Sequence, residues 1–100
     1  MSNYSLSGHV ALVTGSSKGL GASIVRNLAS AGASVAVNAF NNTDRAQKLA
    51  DEINEEGGKA IAVGADVTKA PQIKALVEEV TSRIGPIDIC LLYTSDAADE

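Results

Sequence analysis

Apolar positions along the 100-residue chain switch between short unbroken runs and a spacing of three to four residues. The run Val10-Ala11-Leu12-Val13 predicts a strand from about His9 to Thr14, since an unbroken apolar run suits a strand covered on both faces. Leu20, Ile24 and Leu28 then recur every four residues and predict a helix from about Gly19 to Ala31. Gly32 stands where a residue just past a helix end belongs. A second strand is expected over Ser34 to Ala39. Ala46, Leu49, Ala50 and Ile53 follow at i, i+3, i+4 and i+7, giving a second helix that Asn42 or Thr43 can cap and Gly57-Gly58 ends. A third strand is predicted over Ala60 to Gly64. Ile73, Leu76, Val77, Val80 and Ile84 form one stripe of a third helix, with Thr68 as N-cap, Pro71 in its first turn and Gly85-Pro86 as its stop. A fourth strand begins at Ile87.

Strands alternating with helices in this order imply an α/β fold: a Rossmann-like, doubly wound parallel sheet with right-handed crossovers, truncated after about four strands. No repeat, linker or low-complexity segment interrupts it. Composition agrees, because 45% of residues are hydrophobic with no Trp and one Phe, so Val, Ile, Leu and Ala must build the core. The net charge of −4 changes the picture less than it first suggests. Asp96, Asp99 and Glu100 lie in the last five residues, and the remaining nine acids nearly balance eight bases. That leaves no electrostatic case for nucleic acid. No apolar run approaches the roughly 18 residues of a membrane span, and Met1 to Gly8 lacks the basic and apolar regions of a signal peptide. With Cys90 as its single cysteine, the chain is expected in a reducing, cytoplasmic compartment.

Candidate chemistry concentrates in Thr14-Gly15-Ser16-Ser17-Lys18-Gly19-Leu20-Gly21, between the first strand and the first helix. Glycines there allow a pyrophosphate to approach the backbone, and the helix N-terminus stabilises its charge. The spacing is G-x-x-x-G-x-G. Folds of this kind that select NAD carry an acid near the end of the second strand, about 20 residues beyond the turn, to bond the adenosine ribose. Here that region reads Val35-Ala36-Val37-Asn38-Ala39-Phe40-Asn41-Asn42, without an acid; Asp44 is the nearest. Lys18 inside the turn supplies a cation instead, which favours a ribose 2′-phosphate and hence NADP over NAD. The plainer alternative for Lys18 is a solvated loop lysine.

With these residues the chain resembles the N-terminal part of the classical short-chain dehydrogenase/reductase family, in particular its 3-oxoacyl-acyl-carrier-protein reductase and glucose dehydrogenase branches. Thr14 to Gly21 matches the family's T-G-x-x-x-G-x-G, Asp66-Val67 its adenine-contacting D-V pair, and Gly85-Pro86-Ile87-Asp88-Ile89 its approach to the fourth strand. The resemblance implies that Gly15, Ser17, Lys18, Gly19, Leu20 and Gly21 line the pyrophosphate and ribose. It places Asn38, Phe40, Asn41 and Asn42 around the adenosine ribose and its phosphate, and makes Asp66 acceptor for the adenine amino group beside Val67. The plainer alternative for Asp66 is a turn residue before the third helix. Thr14 would tie the turn together, and His9 is expected to be an exposed bystander. The implied activity is NADP-dependent reduction of a carbonyl, such as a 3-oxoacyl thioester, to an alcohol by a full-length homo-oligomer. The alternatives are a non-catalytic NADP(H) sensor module and a truncated product without function.

The family pattern stops after Ile89. Where the family has N-N-A-G, this chain reads Cys90-Leu91-Leu92-Tyr93-Thr94-Ser95-Asp96-Ala97-Ala98-Asp99-Glu100. No Tyr-x-x-x-Lys pair is present: Gly8 stands four places after Tyr4, and Ala97 four after Tyr93. In the family that lysine lowers the tyrosine's pKa for proton transfer, so no catalytic residue is assigned here. Residues 90–100 resemble one translated frame of a transposase-based sequencing adapter (TGT CTC TTA TAC ACA TCT GAC GCT GCC GAC, then GA). Residues 1–89 are therefore expected to be the NADP-binding part, and residues 90–100 a non-native tail. No metal site is expected.

Overall fold

A computed structural model describes residues 5–16, 19–40 and 43–91. Four strands, β1 (Val10–Val13), β2 (Ser34–Ala39), β3 (Lys59–Gly64) and β4 (Ile89–Leu91), alternate with three helices, α1 (Gly19–Ser30), α2 (Thr43–Glu55) and α3 (Ala70–Ile84). All strand pairs are parallel, in the order β3-β2-β1-β4. The expected α/β class and winding are therefore present. Val10 pairs with Ser34, Ala11 with Ile89 and Asn38 with Val63.

Side chains of successive strand residues point to opposite faces, and the core divides accordingly. Ala11, Val13, Val35 and Val37 pack with Val25 and Ala29 of α1 and with Ala46, Leu49, Ala50 and Ile53 of α2. On the other face, Val10, Leu12, Ala36 and Val63 pack with Leu76 and Val80 of α3. Full burial of each Val or Leu stabilises the fold by roughly 1.5–3 kcal/mol. Two helix ends close with the same pair of hydrogen bonds, Gly32 N–H to Ala29 O with Ala33 N–H to Leu28 O, and Gly57 N–H to Asn54 O with Gly58 N–H to Ile53 O. Both are Schellman motifs, and they turn the chain directly into β2 and β3.

Two expectations need correction. Thr68 does not cap α3: the N-cap is Lys69, with no side-chain capping bond. The Thr68 hydroxyl bonds the Asp66 carboxylate instead. β4 starts at Ile89 rather than Ile87, because Asp88 completes the approach through its side chain. Asp88 Oδ2 accepts the Val10 N–H at 3.0 Å, and Asp88 N–H bonds Val10 O at 2.9 Å. The α3 stripe is only partly buried: Leu76 and Val80 are enclosed, while Ile73 and Val77 remain 37% and 39% exposed. Of the two caps expected for α2, Thr43 is the first residue of the helix itself, and Asn42 lies outside the described residues.

Candidate dinucleotide site

The carboxyl ends of β1, β2 and β3 lie side by side along one edge of the sheet, so the segments Thr14–Ser16, Asn38–Phe40 and Gly64–Asp66 are neighbours. Strand order reverses at β1, which has β2 on one side and β4 on the other. A crevice beyond the strand ends at such a switch point is where open α/β sheets hold ligands.

The turn after β1 has the backbone that a close approach requires. Gly15 and Gly19 both adopt φ of 63°, in the left-handed region that favours glycine. A Cβ on Gly19 would meet nothing within 4 Å, so the space beside it is open. Gly21 is needed for another reason. A Cβ there would lie 2.7 Å from Gly15 O and 2.8 Å from Ser16 Cα, so α1 can rest on the turn only if this residue has no side chain. The N–H groups of Gly19, Leu20 and Gly21 are in the first turn of α1 and have no carbonyl one turn back. No acidic side chain occupies that turn, so its partial positive charge is left for an anion. A dinucleotide pyrophosphate fits this arrangement.

Behind the turn lies a lock that the sequence did not disclose. Ser16 is fully buried; its hydroxyl donates to Val13 O at 2.6 Å and accepts the Asn38 N–H at 3.0 Å. Ser16 N–H in turn donates to Asn38 O at 3.0 Å. Asn38 is 1% exposed, and its Oδ1 accepts the Gly15 N–H at 3.0 Å. Its Nδ2 donates to Val63 O at 3.2 Å and Ala65 O at 3.4 Å, with Ala39 O at 3.5 Å. Only this amide orientation suits an N–H on one side and carbonyls on the other. The available signal was a lone amide in an otherwise apolar buried strand, which must find partners.

Phe40 and Leu20 are the most exposed large apolar side chains among the described residues, at 54% and 59%. No acid stands on β2 or at Phe40, and Asp44 belongs to the first turn of α2. Ser17, Lys18, Asn41 and Asn42 lie outside the described residues. Asp66 follows β3, and its Oδ1 takes both Thr68 bonds, at 2.9 Å from the N–H and 2.5 Å from the hydroxyl. Asp66 N–H donates to Gln72 Oε1 at 2.7 Å. Asp66 thus shapes the turn before α3 with one oxygen and keeps Oδ2 without a protein donor among the described residues. The Thr68 hydroxyl bond, then the Thr68 N–H and the Lys69 charge, hold this carboxyl below its ordinary range against a smaller opposing effect of desolvation. Val67 is half-buried and packs against the α3-side core.

Thr14 is buried, and its N–H bonds Leu91 O at 3.0 Å, extending the β1–β4 ladder. His9 is exposed, with Nδ1 3.5 Å from Asp88 Oδ2. Cys90 and Leu91, the first residues of the segment that departs from the expected pattern, pair with Leu12 and Val13. No group of three potential metal ligands occurs among the described residues, and no described helix is long and apolar enough to cross a membrane.

A doubly wound parallel sheet with a glycine turn at its switch point defines a Rossmann-like α/β protein. Within that class the chain belongs to the short chain dehydrogenase family, whose model matches residues 9–93. The hydroxynaphthalene reductase-like protein of Metarhizium acridum is 46% identical over 86 residues, which are 85% of this chain and 32% of that protein. Elsinochrome reductase 1 of Elsinoe fawcettii is 45% identical over 91 residues, 91% of this chain and 34% of that protein. The chain therefore spans about a third of the length of these curated relatives. Among solved structures, a short-chain dehydrogenase/reductase from Serratia marcescens superposes with a TM-score of 0.87 at 38% identity, covering 93% of this chain and 38% of that one. A blue fluorescent protein from a metagenomic library, in complex with NADPH, superposes with a TM-score of 0.81 at 38% identity, covering 85% and 35%.

Proposed function

We propose that this chain is the cofactor-binding part of an NADP-preferring short-chain oxidoreductase that reduces a carbonyl to an alcohol. The observation that carries the cofactor choice is the end of β2, which brings no acid to the ribose side of the glycine turn. A carboxylate there would repel a 2′-phosphate; its absence, with Lys18 in the turn, favours NADP. The relative solved with NADPH supports the same choice. When bound, the nicotinamide supplies the hydride. Gly19, Leu20 and Gly21 would hold the pyrophosphate, Phe40, Asn41 and Asn42 would flank the adenosine ribose, and Asp66 Oδ2 would accept from the adenine amino group.

The reductase names of the curated relatives support carbonyl reduction as the reaction class. They fit a ring ketone as readily as a 3-oxoacyl thioester. Calorimetric titration with NADPH and NADH tests the cofactor reading. NADPH is expected to bind at least tenfold more tightly, and Lys18→Ala to remove most of that margin. Equal or tighter NADH binding would overturn it. The 100-residue chain is expected to show no NADPH oxidation with any carbonyl. A longer protein that carries this segment and binds NADPH, yet turns over no carbonyl, would favour the sensor reading.

A further inference from the structure

Asn38 stands on β2 one residue past Val37, the last residue paired with β1, and its amide faces inward. From β2 its side chain reaches two other segments of the site edge. Through Oδ1 it holds Gly15 in the turn after β1, and through Nδ2 it holds Val63 and Ala65 at the end of β3. Ala65 immediately precedes Asp66, the candidate adenine acceptor. The main chain of Asn38 adds two further bonds, from its N–H to the Ser16 hydroxyl and from the Ser16 N–H to its carbonyl. Every polar atom of the side chain is thus committed to backbone, at 1% exposure.

We infer that Asn38 is a positioning residue that keeps the pyrophosphate turn and the adenine loop in fixed relation and touches no part of the nucleotide. This rests on the dinucleotide reading above and revises the ribose contact foreseen for Asn38. A second consequence concerns the turn itself. Gly15 N–H and Ser16 N–H are both consumed by Asn38, so neither is left for an anion at the turn, and Gly15 contributes conformation instead of a bond. Ser16 and Asn38 are buried and the Gly15 bond partly so, and a polar group left unpaired away from water costs about as much as a lost hydrogen bond. The network therefore acts as a unit.

The test compares Asn38→Ala and Asn38→Ser with the parent protein by two readouts. In the nucleotide-free protein, amide hydrogen exchange is followed at Gly15 and Ser16 and, in the same sample, at Val35 and Val37 in the core. Exchange at Gly15, whose N–H loses its side-chain acceptor, is expected to accelerate at least tenfold relative to the core amides, and exchange at Ser16, whose N–H keeps the Asn38 main-chain carbonyl, to change less. A general loss of stability would move all four together and would overturn the inference. In nucleotide titrations, NADPH and NADH are expected to weaken by the same factor, about tenfold, with their ratio unchanged within about twofold. A loss confined to NADPH would show a direct ribose-phosphate contact and would also overturn it. Should Asn38→Ala fail to fold, Asn38→Ser retains a short polar side chain and carries both readouts. A parent protein that binds neither nucleotide would defeat the functional reading; the exchange measurement would still decide the lock.

Discussion

Replacing Gly21 by Ala tests whether the site depends on direct contact between α1 and the turn that precedes it. The new Cβ would lie 2.7 Å from Gly15 O and 2.8 Å from Ser16 Cα. Both are backbone atoms, so no side-chain rotation can relieve the overlap. Inserting a methyl into such a packed contact costs roughly 1–3 kcal/mol, and two backbone overlaps place this site in the upper half of that range. Alanine regains about 1 kcal/mol of helix propensity over glycine. The expected net loss is about 1–2 kcal/mol, which in a domain of this size lowers Tm by roughly 4–16 °C. Relief requires the turn to move away from α1, so nucleotide affinity should fall at least tenfold, the equivalent of one charge-assisted hydrogen bond. Thermal unfolding and calorimetric titration read the two effects. Gly57→Ala is the control, since it strains a φ of 98° in open space at the far end of α2. It should cost comparable stability, about 1–2 kcal/mol, without changing affinity. Unchanged Tm and affinity in Gly21→Ala, or equal loss of binding in both variants, would refute the contact argument.

Two further outcomes concern the loop around Asp66 and the end of the chain. Thr68 bonds hold the Asp66 carboxyl below its ordinary range, so they stabilise the folded loop above about pH 4, and that contribution disappears as pH falls through the lowered value. Thr68→Val should raise the Asp66 titration midpoint followed by carboxyl carbon NMR; an unmoved midpoint would show that other groups depress it. Sequencing the source DNA through the Ile89 codon should replace residues 90–100 with a native continuation containing N-N-A-G and, further on, Tyr-x-x-x-Lys. A natural stop codon directly after Glu100 would sink the adapter origin.

The layered fold was legible because its signals are local and repeated. Val10 to Val13 are buried without exception, and Gly32 and Gly57 close their helices as helix-ending glycines should. Thr68 misled because a hydroxyl two residues from an aspartate has a nearer acceptor than a helix terminus. For α3, periodicity reports which residues share a stripe and not whether the stripe is covered. Leu76 and Val80 are enclosed by β1 and β3, while Ile73 and Val77 on the same stripe remain partly exposed. Within the site, motif spacing located Gly15, Gly19 and Gly21 but could not distinguish their tasks. Whether a glycine is required by its φ or by a neighbour's backbone depends on three-dimensional approach. Ser16 was invisible for the same reason, because a small hydroxyl in a glycine turn reads as solvated loop until the strand beside it is placed.

The division between buried and exposed residues at this edge bears on how cofactor choice could change. Ser16, Gly21 and Asn38 are enclosed and bonded or packed against backbone, and they shape the turn that any dinucleotide would use. Phe40 is exposed at the end of β2, where the proposed reading would put the ribose 2′-phosphate that distinguishes NADP from NAD. Affinity shared by both cofactors is then set by a network that tolerates little change, since loss of one member leaves buried donors unpaired. Selectivity is set by side chains beyond it, whose replacement disturbs no core contact. An acid introduced at Phe40 should therefore shift preference towards NAD with little loss of stability, whereas the same change at Asn38 would bury a carboxylate against Val63 O and Ala65 O and damage the site for both cofactors.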